Sequence, residues 1–529
     1  MKLTGLLFAA ALLGSCTQPA AEENYTRHVD PKIGTGGHGH VFVGANVPFG
    51  LVQVGPTSIP QTWDWCSGYH ASDSTVIGFS HTHLSGTGIG DLFDVTVMPV
   101  TGNVTYARGE EADPASGLWS YADRTQEIAR PGYYSVPLTR YGIRAELTAT
   151  ARVGLHRYTF PASEKAAVVF DLENGGCWDK ATETHLAKEG DRTVTGWRHS
   201  TGWAKDQRVY FAAEFSKPFE KFETIGDNYA RASFRTTDGE QVSLKVALSP
   251  VSIEGAKANL AAELPGWDFD ATAAAADKAW NDELSKVKIE TEDETSKRIF
   301  YTALYHTMVA PSLFCDVNGD YYGSDHAIHR NADFTNYTTF SLWDTYRAAM
   351  PLMTVLHPEK MADIVQTMLH IADEQGRLPV WHLWGNETDC MVGNPGIVAV
   401  ADAIVKGIGG FDREKAFEAI RKTAMNPDRG NGLRMEYGYI PCEMFNEAVA
   451  YDMEYALADG AAARAAETLG KAEDAKYFEE RSHSYRNYFD PATRFMRGRD
   501  SKKGWRTPFN AFASTHRADD YCEGNAWQY

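Results

Sequence analysis

Beyond residue 16 the sequence has no apolar run long enough to cross a bilayer, which excludes a chain threaded through a membrane by helices. It has no basic stripe. Lys and Arg number 51 against 70 Asp and Glu, a formal charge of −19, and the basic residues are dispersed, so nucleic acid is not the expected partner. It has no CxxC pair. Cys66, Cys177, Cys315, Cys390, Cys442 and Cys522 are too widely spaced for a finger-type zinc site or a disulfide-dense scaffold. One or two bridges stay open, and the sequence does not assign them. The glycine-rich run GTGGHGHVFVGANVPFG (34–50) lacks both the GxxxxGK[ST] pattern and a strand-to-helix setting, which excludes a phosphate loop.

What is present reads as a large globular protein. Hydrophobic residues make up 43% and charged residues 23%, and 529 residues exceed one ordinary core, so two or more domains are expected. Aromatics are 12%, with 13 Trp and 25 Tyr, a supply that suits stacking on sugar rings as well as large cores. Lys2 precedes a short apolar run ending at Cys16, the layout of a secretory signal. Leu12 to Cys16, LLGSC, resembles a bacterial lipobox. Cys16 is then the lipidated residue and 17–28 a tether that holds the protein to a bacterial membrane, in the periplasm or at the cell surface. An ordinary signal peptide with an incidental Cys is the alternative.

From 29 to 265 the texture is short β-branched runs such as AAVVFDLEN and RVYFAAEFS, separated by Gly, Asp and Asn turns, which predicts an antiparallel β-sandwich. In 266–292 the period changes. Ala273, Ala276, Trp280, Leu284 and Val287 recur every three or four residues, predicting a linker helix. From 293 to 529 helical segments alternate with polar, aromatic loops, as in an α/α toroid. One helix is expected to bury Phe300, Ala303, Leu304 and Met308. Another, PEKMADIVQTMLHIADEQG, opens on Pro and closes on Gly. The segments supply roughly half to two-thirds of the six helix pairs such a toroid needs, so an incomplete one is expected.

Three loop clusters hold more polar and aromatic groups than packing requires. The first joins the Gly-rich run to TWDWCSGYH (62–70), with Trp65, and GFSHTHLSGTG (78–88), with His81 and His83 two apart. Such a pair offers two metal ligands, but no third stands out, and structural or substrate-contacting roles fit better. The second is TTFSLWDTYR (338–347), where Asp344 and Arg347 form either a local ion pair at a helix start or a substrate contact. The third, PVWHLWGNETDCMVGNPG (379–396), places Trp384 and Glu387 in a Gly-bounded loop, a sugar-subsite pattern. Near the end, EGNAWQY sets Glu523 among aromatic residues, as for a catalytic acid kept protonated by partial desolvation.

The stretches DPKIGTGGHGH, PFGLVQVGPTS, GYHASDSTVIGFSHTHLSGTG, FSLWDTYRAAMPL, GNETDCMVGNPG and EGNAWQY resemble the glycoside hydrolase family 92 α-mannosidases, in order, from about Val29 to Tyr529. The resemblance implies a sandwich plus an (α/α)6 toroid with the active site between them, and a Ca²⁺-dependent, inverting exo-α-mannosidase. It matches Glu523 to the general acid and Asp344 to a carboxylate that hydrogen-bonds the terminal mannose. Mannose-rich N-glycans or mannans, with α-1,2 links first, are the expected substrates. Inversion pairs the acid with a base carboxylate about 6.5–9.5 Å away that activates water. The family's motifs carrying that base do not occur in this sequence, so the 529-residue chain is expected to be inactive. Another sandwich-plus-toroid carbohydrate enzyme and a non-catalytic mannose-binding protein are the competing readings.

Overall fold

The computed structural model describes residues 23–59, 62–113, 115–515 and 519–529; the signal, Cys16 and the first half of the tether lie outside the described residues. Two antiparallel sheets face each other. One runs in the order Gly55–Thr57, Gly78–Ser80, Thr96–Thr101, Ser163–Asp171, Tyr229–Thr236 and Lys221–Ile225. The other has eight strands, from Lys180–Glu189 at one edge through Gln207–Phe215 and Glu240–Ser249 to Ile128–Arg130. Phe170 of the first sheet stacks on Phe211 of the second at 6.0 Å, so the two inner faces interlock. Within this core Arg198, fully buried, donates to Asp94 at 2.7 Å and Asp179 at 2.5 Å, which offsets its desolvation.

The sandwich ends at Ser249, earlier than the pattern at 265 indicated. Ser252 caps Gly255 N–H and starts helix α1 (Ile253–Glu263), which packs on the two central strands of the larger sheet. Helix α2 (Phe269–Leu284) buries Ala273, Ala276, Trp280 and Leu284, the expected stripe. The linker is therefore two helices. Tyr25–His28, expected in the tether, form a 3-10 turn fixed to α2: Tyr25 N–H donates to Asn281 at 2.7 Å, and the Thr26 hydroxyl donates to Asp277 at 2.7 Å.

Helices then dominate, with α3 (Glu294–His306), α4 (Leu342–Thr345), α5 (Ala349–Leu356), α6 (Pro358–Gln375), α7 (Pro395–Val405), α8 (Arg413–Met425), α9 (Asn431–Tyr437), α10 (Ala448–Thr468) and α11 (Ala472–Arg481). Helix α6 begins on Pro358 and ends at Gly376, whose φ of 89° fits the left-handed cap. Helix α10 buries Ala450, Ala462, Ala463, Ala465 and Ala466, small residues that let α7, α8 and α11 approach closely. In α3 the buried stripe is Tyr301, Leu304 and Tyr305 with Met308 beyond, while Ala303 faces solvent. Between α3 and α4 the chain makes two-residue strands, and Phe340–Ser341 joins Trp381–Leu383 and Asn386–Glu387 in a small sheet.

The two cores are continuous. Leu313, Phe314, Tyr322 and Trp384 of the helical half pack into the sandwich cluster. Backbone bonds cross as well, Phe49 N–H to Met308 and Leu313 N–H to Phe49, both 2.8 Å.

Candidate functional site

Asp206 and Asn386 clamp the two halves together. Asp206 N–H donates to Asn386 Oδ1 and Asn386 Nδ2 donates to Asp206 O, both at 3.0 Å, while Trp203 meets Trp381 edge-on at 5.2 Å. Beside this clamp lies a cavity of ≈ 720 Å³ between Trp203 and Lys205 of the sandwich and Asp389, Met391, Glu447 and Tyr451 of the helical half. A cleft at a domain interface, lined by aromatics and a few charges, is where a ligand is expected. Asp389 and Glu447 have positive φ, 54° and 56°, a costly conformation for residues with a Cβ. Arg377 and Arg429 pair with the Asp389 carboxylate, and Arg429 also lies against the Tyr451 ring.

Three of the segments singled out in the sequence pack together at the edge of this cavity, although Asp344, Arg347 and Glu523 do not line it. Glu447 N–H donates to Asp519 O at 2.7 Å and Ala450 N–H to Asp520 O at 3.1 Å, tying the segment before Glu523 to the start of α10. Cys522 packs with Val392 and Ala450, with Trp343 and Met391 at the edge of the same cluster. Burial first, then the carboxylates of Glu447 and Glu523, push the Cys522 thiol well above its ordinary range. Thus α4, the loop after Glu387 and the stretch carrying Glu523 share one place.

Individual side chains divide sharply. Asp344 is exposed and accepts a hydrogen bond from the Ser341 hydroxyl at 2.6 Å. The prominent salt bridge of Arg347 is with Glu454 of α10, at 2.7 Å, and the Tyr346 hydroxyl donates to the same carboxylate at 2.8 Å. The Trp343 indole N–H is buried and finds no acceptor among the described residues. Glu523 is exposed, with φ of 47°. The aromatic enclosure expected around it is not formed. Tyr521 turns inward to donate to Met496 O at 2.6 Å, Tyr529 binds the Cys522 backbone, and Trp527, 62% exposed, packs on Phe495.

Four residues expected to contact substrate are built into the core. His81, Tyr158 and His156 form a closed chain. The Tyr158 hydroxyl lies 2.7 Å from His156 Nδ1, the two imidazole Nε2 atoms are 2.9 Å apart, and His81 Nδ1 lies 2.6 Å from Val95 O. Both rings must be neutral to complete it, and burial pushes His81 down to about 3. His83 is buried between Phe42 and Phe93, donates to Gln53 O at 2.7 Å, and is pushed down to about 4 by burial. Trp384, 2% exposed, packs edge-on against Phe314 at 5.0 Å. The Glu387 carboxylate accepts the N–H groups of Val380, Trp381 and Asp389 at 2.8 to 3.0 Å. Burial would raise its pKa, but Arg377 and those amides hold it below the ordinary carboxylate range, so it serves as a hairpin fastener. Trp65 is half-buried, stacked on His70 at 4.5 Å and bonded to Asp73, and it does not line the cavity. A second cavity, ≈ 810 Å³ between Arg108, Trp178 and Asn228, holds none of the expected site residues.

The His83 assignment has a measurable consequence. Its folded pKa lies below the unfolded value of roughly 6.5, so the stability it contributes is complete above that pH and is lost as pH falls toward about 4. His83→Asn keeps a donor near the Nδ1 position but cannot titrate. Its destabilisation relative to wild type should shrink by up to about 1.4 kcal/mol per pH unit below 6.5, measured by denaturant unfolding. A penalty independent of pH would refute the buried neutral ring.

Glu447, Tyr451, Trp203 and Lys205 had not been singled out. They come from two distant segments with no shared local pattern, and only the unusual backbone at Glu447 marks one of them.

The glycosyl hydrolase family 92 N-terminal domain model matches residues 28–249 and the family's catalytic domain model matches 255–529, with the break where the last sandwich strand gives way to α1. The chain belongs to glycosyl hydrolase family 92. A family GH92 α-mannosidase of Bacteroides thetaiotaomicron, solved in complex with mannoimidazole, superposes on this family 92 chain with a TM-score of 0.93 at 39% identity, over 96% of this chain and 70% of its own. A family GH92 inverting mannosidase of the same species gives 0.86 at 29% identity, over 95% and 70%. An uncharacterized secreted glycosidase of Arthroderma benhamiae is 26% identical over 553 residues, covering 94% of this chain. The chain spans 66% of that relative's length.

Proposed function

We propose that this family 92 chain is an exo-acting α-mannosidase that works with inversion on mannose-containing glycans, with the terminal sugar at the interface cavity. The observation that carries this reading is the packing of α4, the loop after Glu387 and the Cys522–Glu523 stretch in one cluster that borders the cavity through Met391 and Tyr451. The similar α-mannosidases, one in complex with mannoimidazole and another termed inverting, support the chemistry. Glu523 is given the general-acid role, donating its proton to the leaving glycosidic oxygen. Asp344, exposed on its short helix, is given the sugar hydroxyls, with the unpartnered Trp343 N–H as a neighbouring donor. Arg347 and Glu454 are assigned to holding α4 in place.

No described carboxylate at the cavity is assigned as base. Of the carboxylates that line it, Asp389 is paired with two arginines, Glu443 accepts Ser501 N–H and Glu447 lies against the Cys522 thiol, while Glu454 and Glu387, outside the lining, are bound by Tyr346 and Arg347 and by amides. Ca²⁺ belongs to the family reading. A hard cation of this kind needs six to eight oxygen ligands. The cavity offers separate oxygens on Asp389, Glu443, Asn446 and Glu447 that would hold part of such a shell, and no step is drawn through the ion. Export is supported by the secreted relative, and attachment to a bacterial membrane through Cys16 rests on the lipobox.

The test is mannose release by a full-length version of the protein from α-1,2-, α-1,3- and α-1,6-mannobioses, with the anomer of the product followed by proton NMR. β-Mannose as first product is expected. α-Mannose as first product would refute inversion, and saturable mannobiose binding with no release would establish the non-catalytic reading instead.

A further inference from the structure

A second polar cluster lies away from the cavity, on the hairpin between Tyr321–Tyr322 and Ile328–His329. His329 Nε2 is 3.1 Å from Asp325 Oδ1 and 3.4 Å from Glu374 Oε1, and the three donor atoms all lie within 4.8 Å of one another. Glu374 comes from the last turn of α6, so the cluster joins elements 45 residues apart in sequence. Zinc bonds to nitrogen and oxygen of about 2.0–2.2 Å put the donors of a tetrahedral site roughly 3.3–3.6 Å apart. Two of the three separations are already close to that spacing.

The surroundings hold the three side chains in position. The Tyr321 hydroxyl donates to Glu374 Oε1 at 2.8 Å, and Ser324 N–H donates to Glu374 Oε2 at 2.7 Å. Ala327 N–H donates to Asp325 Oδ1 at 3.0 Å, and the Tyr321 ring stacks on His329 at 4.8 Å and 10°. Outer contacts of this kind fix ligand orientation in metal sites. Gly323 leaves the space open, because a Cβ there would come within 2.7 Å of both Asp325 Oδ1 and His329 Nε2. The Glu374 side chain is only 6% exposed, whereas Asp325 and His329 are about a third exposed, which leaves one side accessible to water. Two carboxylates facing one imidazole nitrogen carry a net negative charge whichever way the ring is protonated, and a divalent cation offsets it.

We propose that Asp325, His329 and Glu374 form a site for a divalent transition metal of the Zn²⁺ type, with water completing the coordination. The imidazole favours such an ion over Ca²⁺ or Mg²⁺, which prefer all-oxygen cages. The role is structural. Tyr322, on the same hairpin, donates to Asp206 of the sandwich at 3.0 Å, and Ser324 Oγ lies 2.9 Å from His382. The metal fastens this interdomain strut to the end of α6, so a chelator acts on the enzyme through residues that do not line the sugar cavity.

The test uses tag-free protein stripped with chelator, dialysed, and titrated calorimetrically with ZnCl₂, with CaCl₂ as the comparison. One saturable Zn²⁺ site is expected, with a raised melting temperature and no equivalent response to Ca²⁺. His329→Gln and Glu374→Gln should weaken binding by more than the roughly 10–100-fold that loss of an outer partner costs, and Tyr321→Phe should fall within that range. X-ray absorption on the zinc-loaded wild type provides a check independent of variant folding and should give nitrogen and oxygen neighbours at about 2.0–2.2 Å. No saturable site, or a site unmoved in folded His329→Gln and Glu374→Gln proteins, would overturn the proposal, as would absorption data dominated by sulfur neighbours.

Discussion

In a full-length version of the protein, Glu523→Gln should cut hydrolysis of an α-mannobiose by about 10²–10⁴-fold, the usual contribution of a positioned general acid. The amide keeps the shape of the carboxyl but has no proton to give to a departing sugar hydroxyl. A 2,4-dinitrophenyl mannoside leaves without protonation, so its turnover should drop far less, and the ratio between the two substrates is the diagnostic quantity. The geometry makes the experiment clean. Glu523 is exposed, and its neighbours are anchored through Tyr521 to Met496 and through Tyr529 to the Cys522 backbone, without using the Glu523 side chain. Stability should therefore stay within about 0.5 kcal/mol of wild type. Equal losses on both substrates would remove Glu523 from the acid role. The positive φ at Glu523 adds a physical reason to look there, since non-glycine residues are held in that conformation at a cost and tend to occur at ligand sites.

How far the sequence could be read depended on whether an element is long enough to show a period. The strand Ser163–Asp171 was legible as a β-branched apolar run buried along its last six residues, and helix α2 because sixteen residues repeat a three-or-four spacing that burial imposes. The pairs of two-residue strands between 312 and 341 carry no period, and their pairing is decided by tertiary contacts. Helix α1 was hidden for another reason: it follows directly on a strand, and its burial is limited chiefly to Ala256 and Asn259. In α3 the expected stripe held at Leu304 and Met308 but not at Ala303, and the buried face turns to include Tyr301 and Tyr305, which pack on Tyr25 and Trp280.

The site shows the same division at the level of chemistry. His81, His83, Trp384 and Glu387 have the residue types of a sugar pocket, yet core histidines, indoles and amide-bound carboxylates use the same functional groups, and only burial separates the roles. The segments around Asp344 and Glu523 were legible as long motifs. Glu447 and Tyr451 were not, because a cavity wall assembled from distant segments leaves no mark in any one of them. The Asp325, His329 and Glu374 cluster escaped likewise, its third member lying on another helix.

The largest expected loss of stability lies in the helical half, at Arg434. Its guanidinium is 2% exposed and spans Asp452 at 2.8 Å and Asp459 at 2.6 Å, both on α10, while donating also to the Ser484 hydroxyl and to Arg481 O. This grouping ties α9, α10 and the turn after α11 through one cation. Burying it costs a large desolvation penalty, which the fold offsets with a nearly complete set of hydrogen bonds. Arg434→Ala removes the cation but leaves Asp452 fully buried, and it leaves Asp459 only its bonds from Arg481. An uncompensated buried charge of this kind costs about 3–5 kcal/mol. Arg434→Lys should recover part of that, since a single ammonium restores the charge but cannot reach both carboxylates in a fork. Arg486→Ala, on a residue bordering the same turn but outside the network, is the control and should change little. Denaturant unfolding followed by near-ultraviolet dichroism reads all three. A loss below about 1 kcal/mol for Arg434→Ala would show that water or rearranged partners replace the guanidinium, and the network would then not be what holds these helices together.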